Sequence, residues 1–309
     1  MTWRRPRALR TGDLLGVCAP AGPVAADRVD RGVAELKALG FEVRVTDGVR
    51  EKTRFTAGSV DRRLADLQGL FADDAVAGIV CARGGAGSPW LLPRLDRELL
   101  RSHPKVFVGY SDVTALHLYL HRLELVTFHG PMIAWELAGG LYHRESFLSA
   151  VKGEGAPYAS EPDDLMALRP GRGEGVLRGG CLSLLAAAAG TPWALEPGAE
   201  PTILFLEDVD EKPYRLDRML FQLRESGALR GVAGIAFGDM KGCSPKLDAD
   251  YTLEDVLLEA LSGLDVPIAL GLSSGHATGP NVTLPLGVRA RLSCEGDQAR
   301  FEVLEAAVE

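Results

Sequence analysis

Residues 105–123 read KVFVGYSDVTALHLYLHRL. Val106, Phe107 and Val108 form a short apolar run of β-forming type, and Gly109-Tyr110-Ser111-Asp112 interrupts it. A helical pattern follows at once, from Asp112 to about Leu123. A strand that turns directly into a helix is half of a βα unit, and a serine occupies the corner. Two readings of Ser111 are open. Ser111 or Asp112 can cap the helix. Alternatively, the turn lifts Ser111 as a nucleophile at the end of a sheet, with the Asp112 N–H at the helix start facing a developing oxyanion. The G-x-S-x-G pattern is incomplete, because Val113 stands where the second glycine would be.

The same alternation extends to both sides. DLLGVCAP, FEVRV, VAGIVCAR, KVFVGY and LVTFHG read as strands, separated by the helical patterns AADRVDRGVAELKALG, SVDRRLADLQGLFAD and, in part, SPWLLPRLDRELLRS. Continuous apolar strands between helices predict a mainly parallel sheet covered on both faces. Residues 153–175 are rich in Gly, Pro and acids and read as an inter-domain connection, with or without an added hairpin. The expected division is therefore 1–152, 153–175 and 176–309. In the last part CLSLLAAAAG, PYRLDRMLFQLRESG and TLEDVLLEALSG read as helices. TILFLEDVD, GVAGIAFG, PIALGL, NVTLPLG and VRARLSCE read as strands.

The formal net charge is −8, which argues against a protein that grips nucleic acid or anionic lipid. Five scattered cysteines without a C-x-x-C pair predict a reduced, cytoplasmic chain with neither a disulfide framework nor a zinc site. The basic start with Arg4-Arg5 mimics a signal, but Asp13, Pro20, Gly22 and Pro23 break it. No run approaches the length of a membrane span.

In a parallel α/β sheet, ligands bind beyond the carboxyl ends of the strands. Four loops meet that condition: RGGAGS, YSD, EDVDE and SSGHATGPN. The first could supply backbone N–H donors or be a tight turn. His276 in the last could act as a general base or be a surface histidine. Glu207 could orient that histidine, and Asp210 and Glu211 suit the start of the following helix. A hard metal held by Glu207, Asp208 and Asp210 is a further reading. His117 and His121 have i, i+4 metal spacing without the glutamate of a zincin, His129 is a rival base, and Cys181 is either a low-pKa thiolate or a small buried residue. Ser111, Glu207 and His276 follow one another in the order of a known triad, with the serine in the first half and the other two in the second. That places the expected site at the domain interface.

At this point the chain resembles a family. GDLLGVCAPAGP, RGGAGSPWLLPRLD, FVGYSDVTAL, TFHGPM, RGGCLSLLAAAAGTPW, LFLEDVDEKPYRLDRML and SGHATGPNVTLPLG together resemble the LD-carboxypeptidases, serine peptidases that also include the microcin C immunity peptidases. The resemblance implies a flavodoxin-like α/β N-terminal domain and a smaller β-rich C-terminal domain. It implies Ser111 as nucleophile, His276 as base and Glu207 as its partner, with Gly85 and Asp112 N–H groups as the oxyanion hole. It also implies no metal or cofactor, a homodimer, and a murein tetrapeptide substrate that loses its terminal D-alanine. Arg83 and Arg178 are the candidates to bind the substrate's terminal carboxylate. Ala86 stands where the family often carries an aromatic residue and Cys181 where it often carries Asn, so the substrate pocket is expected to differ. Two other readings remain: cleavage of a peptidyl or aminoacyl nucleotide amide, with Trp135 or Trp193 stacking on the base, and a murein-peptide binder without activity.

Overall fold

The computed structural model describes residues 3–161 and 164–309. Met1 and Thr2 of the expected first domain, and Pro162 and Asp163 of the expected connection, lie outside the described residues. The chain forms two units. One comprises Met1–Ala156, Gly279–Gly287 and Ala306–Glu309; the other comprises Pro157–Thr278 and Val288–Glu305.

The first unit is built on parallel strands β1 (Leu14–Cys18), β2 (Glu42–Val45), β3 (Val76–Cys81), β4 (Val106–Gly109) and β5 (Thr127–His129), in the order β5-β4-β3-β1-β2. Strands β1, β3 and β4 are buried almost throughout, which is why their sequences are continuous apolar runs rather than alternating ones. The crossovers carry α1 (Ala26–Ala38), α2 (Val60–Ala72), α3 (Arg97–Ser102) and α4 (Thr114–His121); α5 (Arg144–Lys152) follows β5. Ser59 starts α2 by accepting the Arg62 N–H at 3.1 Å, and the helix turns Arg63, Leu64, Leu67, Leu70 and Phe71 inward. Phe71 stacks on Phe107 of β4 at a ring separation of 6.0 Å. Burying each such ring contributes roughly 1.5–3 kcal/mol.

The second unit is a closed barrel of seven strands. Its elements run β6 (Leu165–Arg169), β7 (Gly171–Cys181), α6 (Leu182–Ala188), β8 (Thr202–Glu207), α7 (Pro213–Glu225), β9 (Val232–Gly238), α8 (Leu253–Ala260) and β10 (Ile268–Leu272). The chain then contributes β11 (Leu284–Leu286) to the first unit, antiparallel to β5, where Pro285 sits on an edge strand that has no further neighbour to bond. It returns as β12 (Arg289–Glu295) and β13 (Gln298–Val303), and the barrel order is β10-β6-β13-β12-β7-β8-β9. Strands β7 to β10 are parallel and joined by α6, α7 and α8, whereas β12, β13 and β6 close the barrel antiparallel.

Within the stretch read from composition as connection, Leu165–Arg169 form β6 and residues 171–175 open β7. Two of the glycines that suggested a linker, Gly173 and Gly175, are packing residues. A Cβ on Gly173 would lie 1.9 Å from the Ala233 carbonyl oxygen, and one on Gly175 would lie 2.2 Å from that of Pro201. Gly179 is more constrained still. It has φ +128, and a Cβ there would lie 1.9 Å from the Phe205 carbonyl oxygen. Gly179→Ala is expected to lower the unfolding free energy by about 3 kcal/mol or more. A urea titration superimposable on wild type would contradict this account of β7.

Candidate active site

Ser111 stands at the carboxyl end of β4. It opens a 3-10 turn, Ser111–Val113, that leads into α4. Its φ is +63, a left-handed conformation that costs a non-glycine residue roughly 1–2 kcal/mol. Neither the turn nor α4 has a side-chain cap, so the capping reading of Ser111 finds no bond here. The hydrogen bonds of the turn begin with Val113 N–H donating to the Tyr110 carbonyl at 3.2 Å. The Asp112 N–H precedes that bond, as the first amides of a helical segment do. Asp112's carboxylate is engaged elsewhere: Oδ2 accepts the Ser88 N–H at 2.8 Å, and its carbonyl accepts the Ser88 hydroxyl at 2.5 Å.

The RGGAGS loop lies beside this corner. A Cβ on Gly84 would come within 2.7 Å of Ser111 Cβ and 2.8 Å of its Oγ, so the serine position requires glycine opposite. The Gly84 carbonyl accepts the Gly22 N–H at 3.0 Å, and Gly85, at φ +111, packs its backbone on Gly22. The loop after β1 and the loop after β3 therefore support each other at the strand ends. Arg83 Nη1 donates to the Pro23 carbonyl at 3.1 Å and belongs to the same contact.

In the second unit Glu207 ends β8 and is 1% exposed. Its Oε2 accepts both the His276 ring Nδ1–H at 2.7 Å and the His276 main-chain N–H at 3.0 Å. The His276 side chain is 22% exposed. With Nδ1 as donor to the carboxylate, Nε2 is left as the basic nitrogen. Two glycines make room for Glu207: a Cβ on Gly275 (φ +83) would lie 2.5 Å from its Cδ, and one on Gly238 would lie 2.8 Å from its Cβ.

The neighbouring acids have other partners. Asp208 accepts the Ser183 N–H at 2.7 Å at the start of α6 and the Val209 N–H at 2.9 Å, while burial pushes its carboxyl above the ordinary range. Glu211 pairs with Arg215 at 3.3 Å, one helical turn along. Among the described residues no group of three or more His, Cys, Asp or Glu gathers as a metal site. His117 and His121 share Thr127 instead. His117 Nδ1 and His121 Nε2 lie 2.9 and 3.0 Å from its Oγ1, and His117 Nε2 lies 2.8 Å from the Gly109 carbonyl. Burial pulls the His117 imidazole down to about 3. His129 is wholly buried, with its ring 5.7 Å from that of Tyr110. Cys181 is buried, and burial followed by Glu207 and Asp208 pushes its thiol well up, which leaves it protonated. Arg178 Nη1 donates to the Glu196 carbonyl at 2.9 Å. From sequence, Gly84 and Ser88 figure only as members of the RGGAGS loop and Asp112 only as a cap or main-chain donor; the Ser88–Asp112 bonds and the role of Arg63 are not read there.

The family models described as LD-carboxypeptidase N-terminal domain and LD-carboxypeptidase C-terminal domain match residues 15–130 and 174–292. The chain belongs to the LD-carboxypeptidase family. It is thus a serine-type peptidase. The Bacillus subtilis (strain 168) protein named "Probable murein peptide carboxypeptidase" is 38% identical over 309 residues, covering 98% of this chain and 95% of that protein. The Escherichia coli "Microcin C7 self-immunity protein MccF" is 29% identical, with 96% and 94% covered. The crystal structure of muramoyltetrapeptide carboxypeptidase from Oxalobacter formigenes matches with a TM-score of 0.83 at 30% identity, over 95% of this chain and 99% of that one. Among the described residues no helix is long and apolar enough to cross a membrane.

His117 generates a pH prediction. Its ordinary value is 6.5, but in the folded LD-carboxypeptidase chain it stays neutral down to about 3. The unfolded chain therefore binds the extra proton between those limits, and stability falls as pH falls through that window. Going from pH 7 to pH 5 is expected to cost wild type about 2 kcal/mol more than His117→Gln. Equal losses for both proteins in urea titrations would contradict it.

Proposed function

We propose that this LD-carboxypeptidase hydrolyses the L,D amide bond of murein tetrapeptides and releases the terminal D-alanine, with Ser111 as nucleophile, His276 as general base and Glu207 as its orienting partner. The observation that carries the reading is Ser111 itself. A serine held at φ +63 at a strand end, over a glycine, bears a backbone cost that capping does not require. The Glu207–His276 pair supplies the complementary half, a histidine of fixed tautomer with its outer nitrogen basic.

In the proposed cycle His276 Nε2 takes the Ser111 proton as Oγ attacks the carbonyl carbon. The oxyanion accepts the Gly85 and Asp112 N–H groups. His276 then gives its proton to the departing amine of D-alanine, and water hydrolyses the acyl-enzyme by the same route. Glu207 stays ionised and stabilises the imidazolium. Arg83 and Arg178 are the proposed partners of the substrate's terminal carboxylate, as guanidinium forks suit that group. A homodimer and a cytoplasmic location complete the proposal, both taken from the family resemblance and the cysteine usage. The second reading, a peptidyl nucleotide amide as substrate, is favoured by the likeness to MccF and by Trp135, which is 47% exposed beneath Arg28 at 4.3 Å.

The test is D-alanine release from L-Ala-γ-D-Glu-diaminopimelate-D-Ala, with an aminoacyl nucleotide amide assayed alongside. Wild type is expected to release D-alanine, and Ser111→Ala to fall by roughly 10⁴-fold or more while staying folded. Turnover retained by Ser111→Ala would overturn the mechanism, and cleavage of the nucleotide amide alone would replace the substrate. A fluorophosphonate that fails to label Ser111 would identify a binder without activity.

A further inference from the structure

Arg63 is a cation on the inward face of α2, 3% exposed. Its Nη1 donates to two main-chain carbonyls, Pro20 at 2.7 Å and Gly87 at 2.8 Å. The first belongs to the loop after β1 and the second to the loop after β3. A Cβ on Gly87, at φ +125, would lie 2.8 Å from that same nitrogen, so the approach is open only to glycine. The next residue, Ser88, is wholly buried and ties the loop to the serine corner. Its N–H and its hydroxyl donate to the carboxylate and the carbonyl of Asp112. Asp112 is itself buried, and its charge favours the cationic form of Arg63, which burial alone disfavours.

Burying two opposite charges costs several kcal/mol each before their attraction is counted, and well-packed apolar residues often stabilise a fold as well. Here the two charges hold consecutive residues, Gly87 and Ser88, of the loop that carries Gly85, and one of them belongs to the residue that follows Ser111. An oxyanion hole needs its donors within about 0.4 Å of range, 2.7–3.1 Å from the developing charge. A misplacement of about 1 Å costs around 100-fold in rate.

We propose that Arg63, through Gly87, and the Asp112 carboxylate, through Ser88, are positioning residues that hold the Gly85 and Asp112 N–H groups in register and so set turnover rather than substrate capture. The proposal rests on the reading of Ser111 as nucleophile. It assigns Asp112 a side-chain duty in addition to its main-chain one, and gives Arg63 a part in a reaction it does not touch.

The experiment compares full-length Ser88→Ala, Arg63→Lys and Asp112→Asn with wild type and Ser111→Ala. It measures kcat and KM on the tetrapeptide, the rate of Ser111 labelling by a fluorophosphonate whose oxygen enters the same hole, and thermal melting. Ser88→Ala is expected to lower kcat by about 10-fold, and the other two by about 10- to 100-fold, with KM within about threefold of wild type. The labelling rate is expected to fall in parallel while the folded fraction at the assay temperature is unchanged. The Ser88→Ala, Asp112→Asn double variant is expected to be no slower than the slower single one, because both cut one link. Should Arg63→Lys fail to fold, Ser88→Ala, which removes a single hydroxyl, still decides the question. Wild-type kcat and labelling in the folded variants would overturn the proposal, as would losses confined to KM or tracking the folded fraction, provided Ser111→Ala is inactive. An active Ser111→Ala would remove the nucleophile reading and the proposal with it.

Discussion

Parallel strands cannot be joined by hairpins, and that constraint shapes everything of interest in this molecule. Each parallel pair needs a crossover that carries the chain back to the amino end of the next strand. All strand-to-helix turns of a parallel sheet therefore collect at its carboxyl edge. The first unit obeys this with β1 to β5, and the second with β7 to β10. The Gly22 loop, the Gly84-Gly85 loop and Ser111 gather at one such edge because they follow β1, β3 and β4. Glu207 and His276 meet for the same reason, as the ends of β8 and β10 flank β9.

Within that frame, period-two geometry divides labour between adjacent acids. Glu207 and Asp208 are neighbours in sequence, but successive side chains at a strand end point to opposite sides. One carboxylate accordingly holds His276 and the other holds the first turn of α6. Cys181 is the register partner of Glu207 on β7 and lies in the field of both acids. Burial first, and the field of the two acids second, explain why a cysteine at the head of a helix, ordinarily a place that favours thiolate, behaves as a small apolar filler here.

Much of the fold was legible because continuous apolar runs and helix punctuation carry strong local signals. The first five strands and α1, α2 and α4 lie where the pattern put them, to within a few residues. The start of the barrel was not legible. Gly171, Gly173 and Gly175 lower local strand preference, and only the facing carbonyls of Ala233 and Pro201 make Gly173 and Gly175 necessary. At the candidate site, strand-end placement singled out Ser111, Glu207 and His276. The bonds of Arg63 and Ser88 escaped, since their partners are distant in sequence, which no local pattern records.

The route of the chain has a consequence for biosynthesis. The sheet of the first unit is completed by β11, and the segment before β1 is bonded to Glu309: Ala8 N–H donates to the Glu309 carbonyl at 2.8 Å, and Glu309 N–H to the Pro6 carbonyl at 3.1 Å. A ribosome that has delivered residues 1–156 has delivered a sheet with an open edge beside β5. That edge must wait, unpaired, while more than a hundred residues of barrel are made. The sheet of the serine-bearing unit is thus begun before β6 to β10 of the barrel and completed after them.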